Sequence, residues 1–289
     1  MQETNQDILK QIYQPRDPQA HKYDFGHLTV IGGSQLYSGA PALNAIAAYK
    51  SGVDKVTVIA PERAANIIAS FSPSLISFPL KGERLNHSHL SCLLMMVSAS
   101  KEVTHGKSAV AIGGGLGRTE ETLKTINKFL SQIDIPCVID ADAIYAVAQN
   151  KAVLNKNFVL TPHNYEFYIL TGKLIKEVKN LEEKTKIVQD SARALNTNIL
   201  LKGNPDILSD GESIILNKTG NPFMTIAGTG DVLTGICGAL LARPVQPFLA
   251  AEAASYISGK AGDLAVEGLG ESLMAEDVIN FIPRVLNNI

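Results

Sequence analysis

Short apolar runs rich in β-branched residues alternate along the chain with longer segments in which apolar residues recur at helical spacing. The short runs predict buried strands at residues 28–31, 55–60, 109–112, 137–139, 158–160 and 199–201. The longer segments predict helices at residues 40–51, 119–130, 179–195, 231–242, 247–266 and 274–286. Two more short runs, 207–209 and 213–216, flank Asp210-Gly211 and predict a β-hairpin. This alternation predicts an α/β fold with a mostly parallel central sheet covered by helices on both faces.

The chain shows no Pro- or Ser-rich linker, no internal repeat and no low-complexity tract, so we expect residues 1–289 to form one domain. Its 289 residues are 45% hydrophobic and 19% charged, which allows a sizeable core. The net charge of −2 gives no reason to expect a nucleic-acid or polybasic membrane surface.

Several features bear on the cellular compartment. The first residues are polar and lack the basic and apolar regions of a signal peptide. The apolar tract 240–266 contains Arg243, Glu252, Lys260 and Asp263, so we do not expect it to span a membrane. The three cysteines are far apart and odd in number, which argues against a disulfide framework or a structural zinc site. A cytoplasmic location is expected.

Glycine and polar residues directly follow most of the predicted strands. These segments are residues 32–34, 113–117, 140–142, 161–163 and 202–204. In open parallel sheets, ligands bind beyond the carboxyl ends of the strands. The sequence therefore predicts a ligand site at this edge of the sheet.

Gly228, Thr229 and Gly230 precede Asp231 at the start of a predicted helix. A helix N-terminus presents free N–H groups and partial positive charge, and glycines let an anion approach the backbone closely. We therefore predict that residues 228–230 form an anion hole for a phosphate, with Asp231 beside it as a base. The alternative is that Asp231 only caps the helix, a role for which the glycines are not needed.

Two other strand-end segments carry candidate residues, each with a structural alternative. Residues 202–206, Lys-Gly-Asn-Pro-Asp, would let a ligand pack on the backbone at Gly203, or Lys202 would be a solvated side chain in a turn. His163 would bind a ligand or fill a structural position, and Glu166 is most simply an acid in the first turn of a helix.

Two further motifs at this edge suggest a metal site and a dinucleotide-binding fingerprint. Asp140 and Asp142 could hold Mg²⁺ through water, but Asp142 could equally cap the next helix. Residues 113–117 resemble the start of a dinucleotide fingerprint, but Arg118 stands where that motif requires Gly or Ala. We therefore exclude the fingerprint and assign no direct metal ligand.

In combination these segments resemble a known family. Gly228-Thr229-Gly230-Asp231, with residues 219–222 before it and 232–235 after it, is similar to the signature of ribokinase-like small-molecule kinases. Residues 113–117, residues 161–163 with Glu166, and residues 202–204 narrow the resemblance to the ADP- or ATP-dependent NAD(P)H-hydrate dehydratases, which are metabolite-repair enzymes. The resemblance runs from about residue 20 to residue 285 and implies the ribokinase-like fold.

The resemblance implies dehydration of the S-form of hydrated NADH or NADPH (NADHX or NADPHX), driven by ADP or ATP with Mg²⁺ as cofactor. The expected course is phosphoryl transfer to the ring hydroxyl followed by elimination of phosphate, because phosphate leaves far more readily than hydroxide. The same resemblance implies which residues carry the site. Ala40, Gly115, His163 and Asp231 would bind the hydrated dinucleotide, with Asp231 as the base; the adenine nucleotide would be bound by Lys202, Gly203, Asn204, Pro205, Asp206 and Gly230.

The family is often fused to an epimerase domain. Only about 25 residues precede the first predicted strand here, so we expect a separate epimerase partner. The family's tendency to assemble suggests a homotetramer.

Two other functions stay open at this point. One is a kinase of the same fold acting on a vitamin-precursor alcohol of the hydroxymethylpyrimidine or hydroxyethylthiazole type. The other is a non-catalytic nucleotide-binding protein, whose only support is that residues 224–227 are less glycine-rich than is usual before the signature.

Overall fold

The computed structural model of the chain describes residues 1–287. Its strands form one ten-stranded sheet. They are β1 (Gln2–Glu3), β2 (His27–Ile31), β3 (Lys55–Pro61), β4 (Ile76–Leu80), β5 (Ser108–Ile112), β6 (Cys137–Ile139), β7 (Phe158–Leu160), β8 (Asn198–Leu201), β9 (Asp206–Ser209) and β10 (Ile214–Asn217).

The strand order is β1-β10-β9-β8-β7-β6-β5-β2-β3-β4. Strands β2 to β8 are mutually parallel, and β9 is antiparallel to both of its neighbours. The predicted mostly parallel sheet and the predicted hairpin at Asp210-Gly211 are therefore confirmed. Because the strands are parallel, the loops after β5, β6, β7 and β8 emerge side by side at one edge.

Eleven α-helices lie within the described residues. They are α1 (Asp7–Ile12), α2 (Gly39–Lys50), α3 (Glu62–Phe71), α4 (Leu90–Val103), α5 (Glu120–Leu130), α6 (Asp142–Gln149), α7 (Asn164–Thr171), α8 (Leu181–Leu195), α9 (Thr229–Ala242), α10 (Pro247–Leu269) and α11 (Ala275–Leu286). All six helices predicted with bounds are present. The start of α9 lies two residues earlier than predicted, so Thr229 and Gly230 belong to the helix itself.

Alternate strand residues enter cores on opposite faces of the sheet. Leu28 and Val30 of β2 pack with α2, α9, α10 and α11 on one face. Ile31 of the same strand packs with α4, α5 and α6 on the other face, which α8 extends below β8 and β9. Helices on both faces, as predicted, leave the strand ends as the open edge.

Strand β4 at one end of the sheet and the N-terminal β1 and α1 were not predicted. The exposed residues of β4, among them Ile76 and Phe78, do not show the buried apolar pattern of the inner strands. β1 has two residues, too few for any periodicity. Among residues 1–287, no helix combines the length and the apolar character needed to cross a bilayer.

Candidate active site

Asp140 connects three elements at the carboxyl edge of the sheet. It directly follows β6 and is 3% exposed. Its Oδ1 accepts hydrogen bonds from Lys202 Nζ at 2.9 Å and from Thr161 Oγ1 at 2.8 Å, and its Oδ2 accepts one from Thr234 Oγ1 at 3.0 Å. These three hydrogen bonds fix the buried carboxyl group of Asp140 in position. It holds the Lys202 ammonium next to α9.

Lys202 lies between two carboxylates. Its Nζ is 3.8 Å from Glu166 Oε2 in addition to its bond with Asp140. Burial alone would lower the pKa of Lys202, but the charges of Asp140 and Glu166 outweigh burial and hold it above the usual value. The lysine is therefore charged and fixed in position, and the solvated alternative is wrong.

His163 caps the helix that follows it. Its Nδ1 accepts hydrogen bonds from the backbone N–H groups of Tyr165 and Glu166, at 3.1 and 3.2 Å. In return, Glu166 Oε2 accepts one from His163 N at 2.9 Å. Glu166 is thus more than an acid in a first turn, because its buried carboxylate joins the His163 cap to Lys202. The pKa of Glu166 is raised, by burial first, while Lys202 lowers it and Asp140 raises it.

Asp231 lies in the first turn of α9. Gly228 immediately before this helix has φ +99°, a conformation that favours glycine. No side chain within residues 1–287 caps the helix, so its first N–H groups are available to a ligand. Burial, followed by the Asp140 charge, raises the pKa of Asp231 to about 7, although Lys202 lowers it. Asp231 therefore exchanges its proton near neutral pH.

A cavity of about 690 Å³ opens beside the α9 N-terminus. Its lining combines most of the predicted nucleotide-binding residues with residues from the loop after β10 and from α10. Among the lining residues are Lys202, Gly203, Asn204, Asp206, Thr229, Gly230, Ser255 and Gly259. Such a volume suits a small organic ligand. Pro205, joined to Asn204 by a cis peptide, does not line it.

His163 lines this same cavity, although the resemblance assigns it to the hydrated dinucleotide. The other two residues of that assignment, Ala40 and Gly115, do not line the cavity and lie at the loop 113–117. A Cβ atom added to Gly114 would meet Ala40 Cβ at 2.9 Å and Asp231 Oδ1 at 3.0 Å, and one on Gly115 would meet Tyr37 Cβ at 2.8 Å. Asp231 thus lies against the loop 113–117, and its neighbour Gly230 lines the cavity.

Asn217, which sequence analysis missed, connects three segments that line the cavity. Its Nδ2 donates to Asp206 Oδ2 at 3.0 Å and to Ser255 O at 3.1 Å, and its Oδ1 accepts from Thr219 Oγ1 at 2.8 Å. Asp206 Oδ1 accepts from Gly203 N at 2.9 Å. The predicted hairpin could have indicated Asn217, because the register of its two strands pairs residue 206 with residue 217.

Asp140 and Asp142 do not face a common metal. Asp142 accepts hydrogen bonds from Gly117 N at 2.8 Å and from Arg118 Nε at 2.6 Å, so it neither caps α6 nor points at Asp140. Within residues 1–287, no group of three His, Cys, Asp or Glu side chains is placed to hold a metal. Mg²⁺ commonly uses one or two carboxylates together with substrate phosphates. Three carboxyl groups against one ammonium suit a cation that arrives with a nucleotide, and Asp231 and Glu166 have oxygens to offer it.

The family model and the relatives that match this chain agree on one family. A family model described as NAD(P)H-hydrate dehydratase matches residues 28–284. The ADP-dependent (S)-NAD(P)H-hydrate dehydratase of Cenarchaeum symbiosum is 34% identical over 282 residues, covering 97% of this chain and 95% of that protein. The bifunctional NAD(P)H-hydrate repair enzyme Nnr of Pyrobaculum aerophilum is 40% identical over 273 residues, covering 94% of this chain. The chain spans about half the length of such bifunctional relatives, 52% in this case.

Solved structures show the same fold. The ADP/ATP-dependent NAD(P)H-hydrate dehydratase of Bacillus subtilis, co-crystallized with ATP/Mg²⁺, superposes with a TM-score of 0.81 at 24% identity, covering 99% of this chain and 98% of that one. A ribokinase-like superfamily protein of Enterococcus faecalis gives 0.84 at 23% identity, covering 99% and 95%. These likenesses confirm the ribokinase-like fold predicted from the sequence.

Proposed function

Because the chain belongs to the NAD(P)H-hydrate dehydratase family, we propose that it converts the S-form of NADHX or NADPHX to NADH or NADPH at the expense of ADP or ATP. The observation that carries this proposal is the position of Asp231. Its half-buried carboxyl, with a pKa of about 7, stands at an uncapped helix start, next to Gly230 of the cavity lining and against Gly114 of the loop 113–117.

The nucleotide occupies the cavity in this proposal. Gly228, Thr229 and Gly230 present helix N–H groups to its terminal phosphate, and Lys202 adds a fixed positive charge beside them. Residues 203–206 border the remainder of the nucleotide. Asp231 or Glu166 would supply the protein oxygens for Mg²⁺, and the ion would neutralise charge on the phosphates.

The hydrated ring lies on the other side of Asp231, against Ala40 and Gly115, with His163 at the junction of the two ligands. Asp231 accepts the proton of the ring hydroxyl, whose oxygen attacks the terminal phosphoryl group while the bond to the remaining nucleotide breaks. Phosphate then leaves the ring carbon with the bonding electron pair, and a proton leaves the neighbouring carbon. The products from ADP are the reduced dinucleotide, AMP and phosphate.

A pKa near 7 suits this role, since a general base works best when its pKa is close to the operating pH. A mere capping carboxylate would be stabilised in its charged form by the helix dipole. The raised pKa of Asp231 therefore favours the base over the cap.

The direct test is to incubate the chain with NADHX and either ADP or ATP and to follow the absorbance of the reduced nicotinamide. We expect absorbance to recover only when nucleotide is present. The kinase alternative predicts instead a stable phosphorylated hydroxymethylpyrimidine or hydroxyethylthiazole and no recovery. A non-catalytic nucleotide-binding protein would bind ADP without any turnover.

The homotetramer, the separate epimerase partner and the cytoplasmic location stay predictions from the sequence. Gel filtration with light scattering tests the first of these directly.

A further inference from the structure

Arg118, the residue that excludes the dinucleotide fingerprint, is held in a specific way. Its Nε donates to Asp142 Oδ1 at 2.6 Å, and its guanidinium stacks 3.6 Å from the centre of the Tyr145 ring. The second oxygen of Asp142 is taken by Gly117 N. The carboxylate of Asp142 therefore bonds to only one of the three guanidinium nitrogens, Nε.

The outer edge of that guanidinium is free. Within residues 1–287, its two terminal nitrogens have no hydrogen-bond partner, and the Arg118 side chain is 51% exposed whereas the Asp142 side chain is 14% exposed. A planar guanidinium fixed at its inner edge and one face loses little freedom when its outer edge binds. Such an edge matches two oxygens of a phosphate.

A second arginine lies beside the same turn. The Nη1 atom of Arg84 is 3.9 Å from the position of a Cβ atom on Gly117, where φ is +80° and no side chain intervenes. Its neighbours fix its backbone, since Glu83 O accepts from Gln35 N at 2.8 Å and Leu85 O accepts from Thr122 Oγ1 at 2.9 Å. Two positive charges therefore flank the glycine turn.

The turn leads directly from the reacting carboxyl. Gly114 lies against Asp231, and the four residues from there to Arg118 span at most about 14 Å. None of the residues 113–118 lines the nucleotide cavity. Gly114, Gly115 and Gly117 are partly exposed and Arg118 is exposed, so a dinucleotide whose nicotinamide ring sits at Asp231 would reach Arg118 by following this loop. Its pyrophosphate is separated from the ring by one ribose.

We infer that Arg118, assisted by Arg84, binds the pyrophosphate of the hydrated dinucleotide. This inference rests on the proposed function. It assigns an anionic diphosphate as the ligand of Arg118 and Arg84. In this account Asp231 recognises the nicotinamide ring, and the two arginines recognise the pyrophosphate.

The test compares substrates with and without phosphates in Arg118→Ala. For NADHX and NADPHX we expect the KM to rise about 10- to 100-fold, the size of a lost charge-assisted hydrogen-bond pair, with kcat and the KM for ADP within twofold of the parent. For hydrated reduced nicotinamide riboside, which has no phosphate, parent and variant should have the same kcat/KM. Arg84→Ala should give the same pattern with a smaller change.

Arg284→Ala is the matched control, because Arg284 also stacks on an aromatic ring, that of Phe281 at 4.5 Å, but belongs to the last turn of α11 and not to the loop 113–118. It should leave all three substrates unchanged. Equal losses for the dinucleotides and the riboside in Arg118→Ala would overturn the inference, since Arg118 would then only shape the loop. A loss confined to NADPHX would overturn it too, because the contact would be to the 2′-phosphate.

A second readout does not depend on turnover. Calorimetric titration with NADH should show the same 10- to 100-fold weakening in Arg118→Ala, and unchanged NADH affinity would contradict the inference. If the parent chain binds NADH in this way but never dehydrates NADHX, the proposed function fails while the diphosphate site stands.

Discussion

The ammonium of Lys202 lies 3.3 Å from the point that a Cβ atom on Gly230 would occupy. Lys202 follows β8 and Gly230 belongs to the first turn of α9, so this contact joins two elements that are far apart in sequence. Its closeness explains why the helix start carries glycine at position 230. A side chain there would compete with the ammonium and with any phosphate bound between them.

Gly230→Ala should therefore weaken ADP binding while the fold stays intact. The backbone of Gly230 is helical, so alanine meets no conformational strain, but its methyl group presses on Lys202. We expect the affinity for ADP in a calorimetric titration to fall about tenfold, as for one lost charged hydrogen bond.

Gly228→Ala is the matched control for that change. At φ +99° a Cβ atom costs about 1–2 kcal/mol, and it would also meet Ala275 Cβ and Leu43 Cδ1 at 2.8 Å. Gly228→Ala should therefore lower the melting temperature, whereas Gly230→Ala should not. Unchanged ADP affinity in Gly230→Ala would place the phosphates elsewhere.

Asn217→Ala should raise the KM for the nucleotide without a matching fall in kcat. The substitution frees Asp206, Thr219 and the carbonyl of Ser255, all on segments around the cavity, while Asp231 is untouched. The expected rise is about 5- to 50-fold, in line with one to two lost buried hydrogen bonds.

The exchange of Asp206 and Asn217 provides the control for Asn217→Ala. Asp206→Asn combined with Asn217→Asp keeps the amide-to-carboxylate hydrogen bond across the hairpin, and it still offers acceptors to Gly203 N and Thr219. The double variant should recover most of the nucleotide affinity that Asn217→Ala loses. The exchange also removes the donor to Ser255 O, so failure to recover would show that this bond to α10 matters more than the bond across the hairpin.

His163→Ala removes both a helix cap and a side chain predicted to bind the hydrated dinucleotide. It should therefore be compared with His163→Asn, which keeps a cap. Asparagine is a good N-cap and should retain most of the roughly 1 kcal/mol that the cap contributes. If His163 contacts the hydrated dinucleotide, both variants should raise its KM, with kcat and ADP affinity held, while only alanine lowers the melting temperature.

If asparagine restores the KM along with the melting temperature, His163 is a cap and nothing more. A fall in ADP affinity alone would assign His163 to the nucleotide, whose cavity it lines.

Part of the fold and of the candidate site could be predicted from the sequence. Strands β2, β3 and β5 to β10 and the shared ligand edge were predictable because buried parallel strands appear as continuous apolar runs that end in glycine or polar residues. The contacts among Asp140, Thr161, Lys202 and Thr234 were not, because local periodicity does not say which strands are neighbours. The cap made by His163 was also missed, since Ser, Thr, Asp and Asn are the usual caps.

Stability should depend on pH through His27, at the opposite end of the sheet. Its Nε2 bonds to Thr57 Oγ1 at 2.9 Å and its Nδ1 to Ser100 Oγ at 2.8 Å in a buried site. Burial, with the charges of Lys55 and Lys22, lowers the pKa of His27 from 6.5 to about 4. The unfolded chain therefore binds a proton at a higher pH than the folded one.

This contribution to stability is complete above pH 6.5 and is lost as the pH falls from there to about 4, amounting to about 3 kcal/mol at most. Urea unfolding at pH 7 and pH 5 measures the part of this loss that falls above pH 5, about 2 kcal/mol. In His27→Gln, the part of the pH dependence due to this residue should disappear. An identical pH dependence in the two proteins would mean that His27 titrates normally in the folded state.

The activity should depend on pH through the protonation of Asp231. Because the base must be deprotonated, kcat/KM for NADHX should rise as the pH rises through about 7, the pKa of Asp231 in the free chain. The profile should be measured at saturating nucleotide and at subsaturating NADHX.

The turnover of NADHX by Asp231→Asn tests the central claim most directly. Asparagine keeps the shape of the side chain at the helix start but removes the base, so kcat should fall about 10²- to 10⁴-fold. ADP affinity and melting temperature should match the parent, and the rise of rate through pH 7 should be absent. A folded Asp231→Asn protein that dehydrates NADHX at close to the parent rate would contradict the account and leave Asp231 as a helix residue without a chemical role.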